Sequence, residues 1–220
     1  MHILLNEYAS LLHGGLIVIE LAAGLLTIGF FMGLVLAGME VYGSRPVSFI
    51  ATATQKTIRG IPALVMLMLG YFGVTAFVDM DPLWVAMLVL GIRSSAYQSQ
   101  LFRGAIQSIG SSQMDAARAI GMSKMKALRY IIIPQALRLS IGPWTNEYSA
   151  EVKDTSLAYA IGVLDILRRG RFIINYSRGN ALLIYCAIAI FYFVIIRAGN
   201  MVLYRLERKL AVPGFERRNP

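Results

Sequence analysis

What most constrains this chain is a succession of long apolar runs. A helix that crosses the hydrocarbon core of a bilayer needs about 20 mostly apolar residues. Backbone N–H and C=O groups in lipid have only each other for partners, so such runs become helices. Residues 14–39 form the first run, interrupted only by Glu20. The second covers 61–78 and extends upstream through the weakly polar stretch 47–57. The third covers 83–102 and contains Arg93. The fourth, 139–167, carries Glu147, Glu151, Lys153 and Asp154, and the fifth, 181–204, contains Arg197. The expectation is an all-α polytopic membrane protein with about five transmembrane helices. No Lys or Arg precedes the first run, and that run is long enough to span, so it reads as a span and not as a signal peptide.

Composition removes the main alternatives. Only 15% of residues are charged and 57% are hydrophobic, too apolar for a soluble domain or a disordered chain. The 21 Lys and Arg against 12 Asp and Glu give a net charge of +9. These basic residues alternate with apolar runs and build no single surface for nucleic acid. They do set an orientation, because cytoplasmic loops are rich in Lys and Arg. Arg45, Lys56 and Arg59 follow the first run; Arg103, Arg118, Lys124, Lys126, Arg129 and Arg138 follow the third; Arg205, Arg208, Lys209, Arg217 and Arg218 follow the fifth. These segments are expected in the cytoplasm and the N-terminus outside. The exception is Arg168, Arg169, Arg171 and Arg178, which five spans place outside; the alternative is that the fourth run does not cross, which would put this basic segment and the 103–138 link on one side. The expected organisation is an extracytoplasmic segment 1–13, a transmembrane domain 14–206 with a cytoplasmic loop at 108–134, and a cytoplasmic tail 207–220. Cys186 stands alone, and His2 and His13 have no metal-ligand spacing around them.

The link 103–138 is too long for a simple connector. Met114, Ala117, Ile120 and Gly121 recur at helical spacing; Gly121 offers a break; Met125, Leu128, Ile131 and Ile132 resume the pattern, and Pro134 is expected to close it. Spacing leaves two readings open, an amphipathic helix on the membrane surface or a short helix that docks into a cytoplasmic partner.

Asp115-Ala116-Ala117, three residues, Gly121, nine residues, Ile131, one residue and Ile133-Pro134 resembles the EAA loop of ATP-binding cassette (ABC) importer permeases, with Asp for Glu and Ile for Leu. Arg59-Gly60-Ile61-Pro62, Arg103-Gly104-Ala105-Ile106-Gln107-Ser108-Ile109, Pro134-Gln135-Ala136-Leu137-Arg138 and Lys153-Asp154-Thr155-Ser156-Leu157 resemble the polar-amino-acid branch (histidine, glutamine and arginine type). The resemblance covers about residues 14–210. It implies the type I importer permease fold, usually with five transmembrane helices and the N-terminus outside. It also implies a coupling helix, formed around Asp115, Ala116, Ala117, Gly121, Met122, Ile131 and Pro134, that sits in a groove of an ATP-binding subunit. Ala116 and Ala117 are small enough for close approach, and Gly121 permits a turn between two short helices.

The chain contains no G-x-x-x-x-G-K-[ST] motif. The resemblance therefore implies a transport subunit without cofactor of its own, with ATP and Mg bound by a partner ATPase dimer. It further implies a second permease subunit, identical or homologous, and an extracytoplasmic substrate-binding protein docking on the outer basic loop. Gly29 and Gly33 form a small-xxx-small pair that suits either contact with another subunit or internal packing.

Charges at bilayer depth face the interior, a cavity or a partner charge. Glu147, Glu151 and Asp154 share one face of the fourth helix, and Arg93, Tyr97 and Gln100 share one face of the third. Together they suit a zwitterionic solute, with Arg93 on its carboxylate and Glu147 or Asp154 on its ammonium. The alternative is that Arg93 pairs with one of the acids and ties the helices together. Asp154 is equally placed to cap a helix starting at Thr155. The resemblance puts Glu147 and Asp154 near the solute pathway of some members. It also exposes departures: the family commonly has Gln at Met66, Glu at Gln100, Leu at Glu151 and a neutral residue at Arg93. These suit either a solute with a cationic side chain or the non-binding half of a heterodimer. Two competing classes, an ion-coupled secondary transporter and a membrane enzyme, have no use for the EAA-like loop.

Overall fold

The computed structural model describes residues 2–176 and 180–210, all of the regular structure being helical. Arg178, Arg217 and Arg218 lie outside the described residues, as does most of the expected tail. Helix α1 (His2–Tyr42) runs unbroken through the first apolar run. It packs along α4 (Pro82–Ser108), the most extensive helix pairing in the molecule. The contact is close because Gly29 and Gly33 carry no side chain: a Cβ on Gly29 would sit 2.5 Å from Ser94 Oγ, and one on Gly33 would sit 3.0 Å from the Ser95 carbonyl oxygen. Of the two readings for this glycine pair, internal packing is the one realised. Asp81 starts α4 by accepting from the Leu83 N–H at 2.8 Å, with Pro82 in the first turn where no donor is needed.

The second run is not one straight helix. Helix α2 (Arg45–Gly60) and α3 (Ala63–Thr75) meet at 103° across Ile61 and Pro62. The upstream extension through 47–57 is thus a separate helix lying across the bundle. Proline pushes the preceding residue out of the helical region, and Ile61 is extended, with ψ 129°.

The fourth run is shorter than its apolar length suggested. Helix α7 (Ile133–Asp154) ends at Asp154, tightens into a 3₁₀ stretch (Thr155–Ile161) and turns at Gly162, whose φ is +108°. An amphipathic helix α8 (Ile166–Tyr176) follows, then α9 (Ala181–Lys209), capped by Asn180 on the Leu183 N–H. Tyr148 donates to the Ile195 carbonyl at 3.1 Å and Ser149 to Asn200 at 3.0 Å, which joins α7 to α9.

By length and apolarity, α1 (over Ala9–Tyr42) and α9 qualify as spans, and the bent α2–α3 pair would make a third. Helices α4 and α7 have the length, about 40 and 33 Å at 1.5 Å per residue, but carry more polar residues. Those residues point inward: Ser94, Ser95, Gln98 and Ser99 of α4 are completely buried. Gln98 accepts from Trp144 Nε1 at 2.8 Å, so the polar seam also holds α7. Large apolar side chains such as Phe31, Val35, Ile190, Phe193 and Val202 remain on the outside. That arrangement is expected where lipid surrounds the fold.

Candidate functional site

Two groups of residues carry the chemistry. The first lies between α2, α4 and α7. Arg93 Nη1 donates to Asp154 Oδ2 at 2.8 Å. The Arg93 guanidinium stands 4.7 Å from the Tyr97 ring centroid, and Arg59, from the end of α2, stands 5.2 Å from the same ring. Asp154 does not act as a cap; it has helical φ and ψ, and its side chain makes no capping bond. The capping alternative fails because Arg93, one helix away, takes the carboxylate.

Glu147 and Glu151, one turn apart on α7, reach each other within this group. Glu151 is 1% exposed, and neither of its carboxylate oxygens has a hydrogen-bond partner in proper geometry, although Ser94 and Arg93 are near. Three carboxylates therefore face two guanidinium groups. A buried carboxylate without a partner is costly, and the cost is relieved either by a proton kept between Glu147 and Glu151 or by a further positive charge.

The structure brings together Arg93, Tyr97, Glu147, Glu151 and Asp154. Gln100 shares the α4 face of Arg93 and Tyr97 but has other partners. Gln100 lies about 10 Å further along α4 and donates to both oxygens of Glu40 on α1, at 3.3 and 3.1 Å. Arg103 completes that second knot, with Nε 3.5 Å from Glu40 Oε2 and Nη1 donating to Gln100 at 3.2 Å. Shared helical spacing was a weak guide because seven residues return to the same side of a helix at a different depth. Sequence reasoning missed Arg59 and Glu40 as members of these knots. Arg59 stood in plain view beside Gly60-Ile61-Pro62; Glu40 had only its place at the end of an apolar run as a signal.

The second group is the link between α4 and α7. Helix α5 (Ser111–Ala119) and the short α6 (Lys124–Ala127) are separated by Gly121, whose φ is +85°. Gly121 therefore breaks the pattern where the sequence placed the break. The Met122 N–H closes the turn on the Ala117 carbonyl at 3.1 Å, and Ser123 caps α6. Pro134 does not end this helical run. A π-helical turn (Leu128–Ile132) carries α6 directly into α7, and Pro134 sits in the first turn of α7. The Ile133 N–H bonds to Leu128, five residues back, so the register has already shifted before the proline that lacks a donor.

The two alanines face opposite ways. Ala117 is 2% exposed and packs inward, whereas Ala116 is exposed beside Asp115, Arg118 and Ile120. Ile131 is half-buried against the cluster of Phe102, Ile106, Ile109, Ile132 and Ala136, which seats the link on the ends of α1 and α4. Lys124 reaches across to the Tyr42 carbonyl at 3.1 Å. The outward side is left with Ile120, 77% exposed, and Met125, 72% exposed, among exposed Lys and Arg.

The fold and these positions have counterparts. Residues 27–212 match the family described as binding-protein-dependent transport system inner membrane component. The chain is 35% identical over 187 residues to the glutamine transport system permease protein GlnP of Escherichia coli strain K12, covering 84% of this chain and 85% of that one. It is 33% identical over 183 residues to the L-cystine transport system permease protein TcyB of Bacillus subtilis strain 168, covering 83% and 78%. Among solved structures, a chain of an amino acid ABC transporter crystallised with histidines superposes with a TM-score of 0.83 at 30% identity, over 94% of this chain and 96% of that one. A chain of the MetNI methionine ABC transporter shares the fold alone, at 16% identity and a TM-score of 0.78 over 91% and 98%.

Proposed function

This chain belongs to the family of binding-protein-dependent transport inner membrane components, and from that premise we propose that it moves a polar amino acid or related small solute inward by alternating access, driven by ATP hydrolysis in a separate ATPase dimer. The observation that carries this reading is the α5–α6 link. Its turn at Gly121 is fixed, its inner side is seated on α1 and α4, and its outer side presents Ile120 unburied. A protein that only packed against itself has no use for that exposed apolar tip among cations; a docking groove does.

In the proposed arrangement α1, α2–α3, α4, α7 and α9 give five spans, with the N-terminus outside and the C-terminus in the cytoplasm. Helix α8 then lies outside, where Arg168 and Arg171 face a cavity of about 330 Å³ with Tyr159 and Asn175 and serve a substrate-binding protein. A second permease subunit completes the pathway. The group around Arg93 and Glu151 lies on the solute path, and its excess of carboxylate favours a solute with a cationic group. One observation supports a second reading. Arg93 already holds Asp154, so this subunit would suit the non-binding half of a heterodimer.

Reconstitution with the copurifying ATPase and the binding protein tests the proposal. Solute uptake should require ATP on the α5–α6 side and should ignore a pH gradient. Uptake driven by a pH gradient without ATP would replace the importer by an ion-coupled carrier. Loss of activity on Glu151→Gln with a cationic solute, and not with a neutral one, would separate the two readings of the charged group.

A further inference from the structure

A groove of about 350 Å³ opens beside the α5–α6 link, between α1, the start of α2, α4 and α6. Val35, Gly38, Tyr42, Val47, Met125 and Leu128 line it, and its wall is overwhelmingly apolar. From Val35 to Tyr42 it follows the last two turns of α1, about 10 Å, at the end of a helix long and apolar enough to span a membrane. Gly38 keeps it open, since a Cβ there would meet nothing within 4 Å.

We propose that this groove holds an acyl chain of an anionic phospholipid from the leaflet on the α5–α6 side, with the phosphate at its mouth between Lys124 and Arg45. Lys124 stands beside Met125, and its ammonium reaches the end of α1, donating one of its three hydrogens to the Tyr42 carbonyl. Arg45 is exposed two residues from Val47, and Lys126 and Arg129 are exposed on the same link. Among the described residues none of these four is in an ion pair. The nearby acid, Glu40, is 9% exposed and is turned to Gln100 and Arg103. The mouth is thus cationic and without an acidic partner, its Lys124 ammonium standing 5.4 Å from the Tyr42 ring centroid, while the floor is hydrocarbon-like. That pairing fits a charged headgroup above a buried chain. With α1 spanning as proposed, a soluble ATPase reaches the mouth more readily than the apolar floor along α1. Because Met125 and Leu128 belong to the link and Tyr42 to α1, a bound lipid would brace the link against the bundle.

The test uses the full chain, with the subunits that copurify, in nanodiscs of phosphatidylcholine. A trace of photoactivatable phosphatidylglycerol or phosphatidylcholine is added, and labelled peptides are mapped. The phosphatidylglycerol probe should label peptides containing Gly38 and Met125 at least about fivefold more than the phosphatidylcholine probe, as one basic side chain at a membrane surface suffices to give. Gly38→Leu, which fills open space, should remove that labelling and leave labelling of α9 unchanged. Lys124→Gln with Arg45→Gln should reduce the preference to none. Equal labelling by both probes, or labelling that survives Gly38→Leu, would overturn the proposal. So would a photo-crosslinker at Gly38→Cys that reacts with a neighbouring protein subunit in place of lipid, which would make the groove a subunit interface. None of these outcomes bears on whether the chain transports solute.

Discussion

Replacing Gly121 by alanine should uncouple the α5–α6 link without disturbing the helices above it. At φ +85° a residue with a Cβ is strained by the backbone alone. The space around the position is open, with nothing within 4 Å of a Cβ, so no packing clash adds to that strain. The cost is therefore the left-handed conformation itself, roughly 1–2 kcal/mol. That corresponds to a factor of about 5–30 in the ratio of the observed turn to its alternatives. The turn is small: the Met122 N–H to Ala117 bond, the Gly121 N–H to Arg118 bond and the Ser123 cap are its main local ties. Losing that much would leave Ile120 and Met125 in many relative positions. Gly121→Asn is the control, because Asn tolerates the left-handed region far better. Both variants leave the buried bundle untouched, so both should melt like the parent in detergent. Solute-stimulated ATPase activity should fall measurably, by at most about 30-fold, in Gly121→Ala and stay near parental in Gly121→Asn. Equal activity of the alanine variant and the parent, or an equal loss in both variants, would refute the argument from backbone strain.

Three further outcomes follow from the same geometry. Arg93→Gln should lower the thermal stability of the purified protein by about 1–3 kcal/mol, less than for a fully buried pair because both side chains keep some solvent access. Adding Asp154→Asn should restore most of that loss, and a double variant no better than the single one would show that the ion pair does not tie α4 to α7. Gly29→Ala should cost about 1–3 kcal/mol through overpacking against Ser94 and Gln98. Ser94→Ala should relieve part of it, since Ser94 Oγ is one of three crowding atoms while Ser94 Cβ, at 2.8 Å, and Gln98 Nε2 stay, and a melting curve unchanged by Gly29→Ala would refute the close α1–α4 contact. Asp165, just before α8 and outside the spans in the proposed topology, accepts from the Arg168 N–H at 2.8 Å, and burial pushes its carboxyl up from 3.8 to about 6. A carboxyl whose folded pKa is raised favours folding below its unfolded pKa, and that contribution is lost as pH rises through about 6. Amide exchange in α8 should accordingly quicken, beyond its intrinsic pH dependence, between pH 4 and about 7, and Asp165→Asn should abolish that extra change. An unchanged profile in the asparagine variant would exclude Asp165 as the titrating group.

Much of this protein was readable as a string of residues. Apolar run length requires helices, because backbone groups in lipid must satisfy one another locally. Gly121 marked the turn because only a residue without a Cβ takes that φ freely. The small residues at Gly29 and Gly33 announced a close helix contact, though not with which helix. Boundaries were less legible where polarity and bending compete. Hydropathy cannot tell that Pro62 sends α2 across the bundle, or that α7 stops at Asp154, because both depend on backbone direction and not on transfer energy.

What only the tertiary structure decided is which polar groups meet. Spacing put Arg93, Tyr97 and Gln100 on one side of α4, yet depth in the bundle divided them, giving Gln100 to Glu40 and Arg93 to Asp154. It also left Glu151 buried without a hydrogen-bond partner, a fact about three helices at once. A sequence fixes the periodicity of each helix through local sterics and solvation. The partner of a charge depends on how helices distant in the chain are set against each other, and that is a property of the packed fold alone.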